Sequence, residues 1–269
     1  MPPVIISLTT IPPRFGLIGP VLRDLRAQKA DIAEIRLNLP PHYRRYGPLP
    51  ATLPSVPDGV RICLVDEDYG PATKVLPTVR DLRGQNTEIL FCDDDQHYDP
   101  LWAQRFLDAR RKKPEACIVE SGYDIAGAGA RQPRVVRKRR DLAYRLIRLG
   151  SLNRLKPSRI IGSGHVDILE GYRGAMIRPD MLTEAAFHIP EILWTVDDPW
   201  LSGHLEANGV PIWLEAGCKW KPRDRRASKI DGLFAFVHLG HGRKQADSAC
   251  IAYFRKTYGI WMPNGAGLS

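Results

Sequence analysis

Three consecutive carboxylates, Asp93, Asp94 and Asp95, end the apolar first half of the segment Glu88 to Pro100, which reads EILFCDDDQHYDP. A short apolar run of strand type leads into them. Side chains on an extended backbone alternate faces, so Asp93 and Asp95 are expected on one side and Asp94 on the other. Two carboxylates on one side suit a hard divalent cation, which completes its shell with water and phosphate oxygens. A solvated acidic turn has the same composition, so neighbouring segments must decide.

A second acidic focus lies at Asp197-Asp198 in WTVDDPWLSGHL, where Pro199, Trp200, Leu201, His204 and Leu205 continue at helical spacing. It reads as a helix start with the Asp residues at the cap and Pro in the first turn. Polar residues also follow two other apolar runs. Val4 to Leu8 leads into TTIPPRF (residues 9–15), and Val60 to Val65 leads through Asp66-Glu67-Asp68 into YGPATK (residues 69–74). A Gly-Pro turn that delivers Thr and Lys to a helical stretch suits a phosphate or a nucleobase edge. In EGYRG (residues 170–174) two glycines bracket Tyr172 and Arg173 and let backbone approach a ligand closely.

These segments need a scaffold that gathers strand ends. Val4–Leu8, Glu34–Leu39, Val60–Val65, Glu88–Cys92, Ala116–Glu120 and the run ending at Ile177 read as strands. Helical spacing occupies Leu17–Lys29, Val75–Leu82, Pro100–Arg111 and Pro179–Phe187. Strands alternating with helices predict an α/β layer with a largely parallel sheet, which binds ligands at the strands' carboxyl ends.

The 269 residues suffice for one large domain or two small ones, with 43% hydrophobic and 26% charged residues as in ordinary globular chains. No apolar stretch approaches the roughly 20 residues of a membrane span. The N-terminus lacks a basic segment before its apolar run, so no signal peptide is expected there. Five dispersed cysteines form no C-x-x-C pair, which suits reduced thiols, a cytoplasmic setting and no zinc. A net charge of +9 points to an anionic partner: nucleotide, phospholipid surface or nucleic acid. The most basic region, residues 131–159, holds Arg137-Lys138-Arg139-Arg140 followed by Leu142, Leu146, Ile147 and Leu149. A helix from Asp141 to Leu149 would set an apolar face between arginines, suited to an anionic membrane surface or to plain solvation. No aromatic-rich RNA-binding signature accompanies it, so no nucleic acid is expected.

TTIPPR after the first strand, YGPATK after the third, FCDDD before a helix and VDDPWLS near residue 200 together resemble bacterial nucleotide-sugar glycosyltransferases of the GT-A fold. The family-two-like inverting group is the most similar, and the likeness extends through the C-terminal stretch Cys250 to Trp261. It implies a mostly parallel nucleotide-binding sheet flanked by helices, with a smaller acceptor-side region. Residues 1–125 would bind the nucleotide sugar, 126–160 form a basic insertion, and 161–269 bind acceptor and carry the base. By the same resemblance Asp93 and Asp95 match the family's D-x-D and would hold Mn2+ or Mg2+ against the donor diphosphate. Asp94 would lie near the ribose or sugar. Thr9, Arg14, Asp66 and Lys74 fall where the family contacts the nucleotide. Asp197-Asp198 match the acidic pair that supplies the base, usually its second member, although Glu-Asp is commoner than Asp-Asp. His238 and His241 are candidates for a C-terminal metal ligand.

The implied partners are a nucleotide sugar, first of all a UDP-sugar, and a glycan or lipid-linked glycan acceptor in surface-polysaccharide assembly. Localisation would be cytoplasmic, with peripheral contact on the inner face of the membrane through residues 131–159. Two alternatives stay open on the residues alone. A nucleotidyltransferase also clamps a nucleotide through paired Asp, but it usually wants a Gly-rich basic signature near the first strand, which Thr9 to Phe15 lacks. A basic nucleic-acid or lipid-binding module would leave both acidic foci without a purpose.

Overall fold

The computed structural model describes residues 2–128, 131–138, 149–150, 160–218, 230, 236, 240 and 242–263. Its centre is an eight-stranded sheet made of β1 (Val4–Thr9), β2 (Glu34–Leu39), β3 (Val60–Leu64), β4 (Glu88–Phe91), β5 (Cys117–Val119), β6 (Gly164–Val166), β7 (Ala175–Ile177) and β8 (Ile212–Leu214). The order across the sheet is β6-β8-β5-β7-β4-β1-β2-β3. Strands β3, β2, β1 and β4 run parallel, as do β5 and β8. Strand β7 lies antiparallel between β4 and β5, and β6 is an antiparallel edge. Residue Ala175 therefore sits beside Phe91 and Val119, so the loop entering β7 opens where β4 and β5 end.

Both faces of β1 are covered, which explains its almost continuous apolar run. Val4, Ile6 and Leu8 join a core with α1 (Gly19–Arg26) and α3 (Trp102–Lys112), whereas Ile5 faces the core under α2 (Leu76–Asp81). Val21, Leu22 and Leu25 recur at helical spacing and form the buried stripe of α1. A third core joins α4 (Asp197–Ala207) to α5 (Arg243–Tyr258) through Trp200, Cys250 and Phe254. Gly203 lets the two helices touch, because a Cβ there would stand 2.3 Å from the Phe254 ring.

Two expectations change in detail. The stretch Pro179–Phe187 forms two 3-10 turns, Pro179–Met181 and Glu184–Phe187, instead of one helix. The cap of α4 is Val196, so Asp197 and Asp198 are its first two residues and not the cap itself. The proposed helix Asp141–Leu149 lies outside the described residues except for Leu149, which is exposed. Three arginines of the basic region are committed to internal ion pairs: Arg131 with Glu206, Arg134 with Asp124 and Asp167, and Arg137 with Asp124. Among the described residues no helix is long and apolar enough to cross a membrane.

Candidate functional site

A crevice with a cavity volume of about 340 Å³ opens at the carboxyl ends of β1, β2 and β4. The Thr9–Arg14 loop, the 3-10 turn Gly70–Lys74, the Asp93–Asp95 triplet and the first turn of α4 all line it. Four segments far apart in the chain meet there because sheet order, not chain order, sets neighbours.

Buried polar contacts hold the Lys74 turn. Ser7 Oγ donates to Lys74 O at 2.6 Å, and Asn38 Nδ2 donates to Thr73 O at 3.0 Å and Thr78 Oγ1 at 3.1 Å. Ser7 breaks the apolar run of β1, and Asn38 is the third polar position of β2 after Glu34 and Arg36. At the start of this turn Gly70 has φ +59°, and a Cβ there would lie 2.6 Å from Trp194 O. Asp68 accepts the N–H groups of Arg44 and Gly70, both at 2.8 Å, and ties the residue 42–46 hairpin to the turn.

The acidic triplet does not alternate as an extended strand would, because β4 stops at Phe91 and the chain turns. All three carboxylates reach the crevice. Asp94 is fully engaged: Arg14 Nη1 donates to one oxygen and Thr10 Oγ1 to the other, each at 2.6 Å. It therefore clamps the Thr9–Arg14 loop to the end of β4, where the resemblance implied a contact with ribose or sugar. Burial pushes its carboxyl up, against the pull of Arg14. Thr9 lines the crevice and donates to Asn38 O at 2.8 Å. Asp95 is buried and accepts Gln96 Nε2 at 2.5 Å. Asp66 lies apart in a smaller cleft beside β3 with Arg61 and Arg80, and Asp68 takes its expected place in the crevice.

Lys74 joins the two acidic foci. Its buried Nζ lies 2.6 Å from Asp93 Oδ1 and 2.7 Å from Asp197 Oδ2. Burial opposes its charge, but Asp197, Asp93 and Asp198 more than offset that and raise its pKa well above the ordinary value. Asp197 is held below the usual carboxylate range by Lys74 and Arg243, despite its burial. Asp198 differs: burial first, and the adjacent Asp197 charge second, raise its carboxyl to about 8. Its Oδ1 accepts Gly171 N–H at 3.0 Å and its Oδ2 lies 3.5 Å from Arg243 Nη2. Paired groups whose surroundings push their pKa values apart mark an acid/base assignment. Here Asp197 is the charged partner and Asp198 the one able to take and release a proton near neutrality.

Asp93 and Asp95 both line the crevice and are hard-oxygen donors of the kind that Mg2+ or Mn2+ takes when phosphate and water supply the rest of its shell. Among the described residues no cluster of three or more His, Cys, Asp or Glu forms a self-sufficient metal cage. Asp93, at 32% side-chain exposure, is the more open of the two and already holds Lys74 on one oxygen. His238 and His241 lie outside the described residues. Arg243, Asp68 and Glu170 line the crevice without having been singled out from the sequence. Arg243 is the first residue of α5, just after the His238 and His241 candidates, and the packing of α5 on α4 brings it to Asp198.

No family model matches the chain, and no curated protein matches it. Solved structures with a similar layout include S. aureus TarS 1–349, at 13% identity and a TM-score of 0.44 over 82% of this chain and 59% of that one. A mycobacterial protein shares 13% identity at a TM-score of 0.47, covering 99% of this chain and 78% of its own. A third is 2-C-methyl-D-erythritol 4-phosphate cytidylyltransferase from Thermus thermophilus, at 16% identity and a TM-score of 0.40, covering 95% and 100%. This chain thus spans 59% of the length of the TarS 1–349 chain. All three scores fall below 0.5, and the site's own residues carry the functional assignment.

Proposed function

We propose that this chain is a nucleotide-sugar glycosyltransferase with a GT-A-like layout that moves a sugar, with inversion, onto a hydroxyl of a glycan or lipid-linked glycan. One observation carries this reading: a single crevice at the strand ends holds a phosphate-suited donor side and, across Lys74, a carboxylate poised near neutral pH. Residues 1–125 supply the nucleotide side and 161–269 the acceptor side. Thr9, Arg14 and Lys74 line the former, with Asp68 replacing Asp66.

Asp93 and Asp95 would hold Mn2+ or Mg2+, which supplies Lewis-acid neutralisation of the departing diphosphate. Lys74 adds a buried positive charge at the same end of the crevice, where low dielectric strengthens it. Asp198 takes the proton from the acceptor hydroxyl as that oxygen attacks the anomeric carbon on the face away from the phosphate. Asp197 stays ionised against Lys74, so it is the orienting partner and not the base. The Gly171 N–H fixes one Asp198 oxygen and leaves the other toward the Arg243 side of the crevice.

A nucleotidyltransferase acting on a phosphate monoester would give the Asp198 environment no role as a base, since its nucleophile is an already ionised phosphate. The deciding experiment is nucleoside diphosphate release from a panel of UDP- and GDP-sugars with and without Mn2+, with glycan acceptors added. Release that requires the metal and rises with acceptor supports the reading; pyrophosphate release from nucleoside triphosphates, with none from nucleotide sugars, would replace it.

A further inference from the structure

Glu170 is a crevice-lining carboxylate to which the proton and phosphate chemistry above gives no task. It stands immediately before the 3-10 turn Gly171–Arg173, with its backbone N–H donating to Ser121 O at 3.0 Å. Buried Ser121 donates its hydroxyl to Glu170 Oε2 at 2.6 Å. Among the described residues this is the carboxylate's one side-chain hydrogen bond. A carboxylate offers about four acceptor positions, so Ser121 orients the group and leaves most of its capacity unused.

The loop that carries it is rigid. Trp102 Nε1 donates to Arg173 O at 2.8 Å, Tyr98 Oη donates to Tyr172 O at 3.3 Å, and Gly174 holds φ +101° against the Trp102 ring. On the other side Leu169 N–H donates to Ser202 Oγ at 3.0 Å, and that hydroxyl donates to Asp198 O at 2.6 Å. The loop and the start of α4 are therefore one unit.

Its location decides the ligand. A Cβ on Gly171 would stand 3.0 Å from Lys74 Nζ and 3.2 Å from Asp198 Oδ1, so Glu170 precedes a residue whose backbone is packed against both groups, and it lines the same crevice. In a single displacement with Asp198 as base, the transferred ring lies in that crevice beside Asp198. A second anion there would repel the diphosphate, whereas a neutral hydroxyl can donate to it. We infer that Glu170 accepts a hydrogen bond from a ring hydroxyl of the donor sugar and is a specificity-determining residue for which sugar is transferred. The inference rests on the glycosyltransferase reading.

The test compares calorimetric affinities for UDP, UDP-N-acetylglucosamine, UDP-glucose, UDP-galactose, GDP and GDP-mannose, each with Mn2+, in the wild-type protein, Glu170→Gln and Glu170→Ala. Both variants should bind the free nucleoside diphosphates as the wild type does, which also shows that they are folded. Each should lose about tenfold or more for the preferred nucleotide sugar, the scale of one hydrogen bond to a charged group. Discrimination between epimers should shrink with it. Wild-type protein that binds no nucleotide sugar of the panel overturns the glycosyltransferase reading and this inference together. Wild-type binding without preference among the sugars, or a preference that both variants keep within twofold, overturns this inference alone.

Discussion

Lys74 Nζ stands 2.7 Å from Asp197 and 2.6 Å from Asp93, so one buried cation spans the two acidic foci. Replacing Lys74 with Met takes the ion-pair partner from buried Asp197, 4% exposed, and leaves Arg243 as its remaining positive neighbour. Loss of one partner of such a pair costs about 3–5 kcal/mol. Urea unfolding of Lys74→Met at pH 7 should show a deficit of that size. The deficit should shrink below about pH 4, where Asp197 takes up a proton even in the unfolded chain. A change under about 1 kcal/mol at pH 7 would mean that Lys74 is not the counter-charge.

Asp198→Asn should keep donor and metal binding and lose transfer by on the order of 10²-fold or more. In the parent, kcat/KM should climb with pH through about 8, since Asp198 is a base only after losing its proton. Asp197→Asn removes the charge that helps raise Asp198, so that limb should move to lower pH. A pH profile that is flat from about 6 to 9 in the parent, with chemistry shown to be rate-limiting, would remove Asp198 from the mechanism.

Asp93→Ala should abolish metal-dependent affinity for a nucleotide sugar and lower stability less than Lys74→Met does, because its partly exposed side chain opens no cavity and Asp197 still pairs the buried Lys74. Asp95→Ala should share that binding defect and also lose about 1–3 kcal/mol of stability, as the buried Gln96 amide forfeits its acceptor. Calorimetry with and without Mn2+, alongside thermal melts, separates the two effects. Metal-dependent affinity that survives in both would refute the metal assignment.

His204 is 1% exposed, its Nε2 lacks a hydrogen-bond partner, and it packs among the rings of Trp200, Phe254 and Tyr258. Burial lowers its pKa to about 4. The unfolded chain binds the proton first, so this residue costs stability as pH falls from about 6.5 to 4, by up to roughly 3 kcal/mol. Asp198 has the opposite slope in the same window, because its folded pKa is raised and the fold keeps a proton that the unfolded chain has lost. The clean measurement is therefore the difference between His204→Phe and the parent across roughly pH 4 to 7. The variant should gain on the parent as the medium is acidified; a constant difference would show that His204 is protonated in the fold.

Most of the scaffold is legible in the sequence, because apolar runs ending in polar residues mark strand ends and each such end reaches the crevice or its border. Glu34–Leu39 is predicted to the residue. Strand direction is less visible: β7 has the same two-residue period whichever way it runs, and only its antiparallel pairing brings residues 170–174 to the crevice. The role of Asp94 is hidden for a related reason. Alternation fails once the strand ends at Phe91, and its partners Thr10 and Arg14 lie about 80 residues earlier. Arg243 follows the His238 and His241 candidates, but its own place at Asp198 is set by a long-range helix contact that spacing does not reveal. Asp66 and Asp68 could not be told apart by spacing, because the turn between them, not a period, decides which faces the nucleotide side.

The reversed direction of β7 also separates two responsibilities along the chain. On the proposed reading, nucleotide-side contacts come from segments before residue 96, whereas the loop beside the transferred sugar leads into a strand that lies between β4 and β5 in space but follows both in sequence. Substitution of Glu170 leaves the Ser7–Asn38–Thr78 network and the Arg14–Asp94 clamp untouched. The sugar side can thus change through that one side chain while the nucleotide side is inherited, whereas Gly171 and Gly174 are fixed because a Cβ at either would crowd its neighbours.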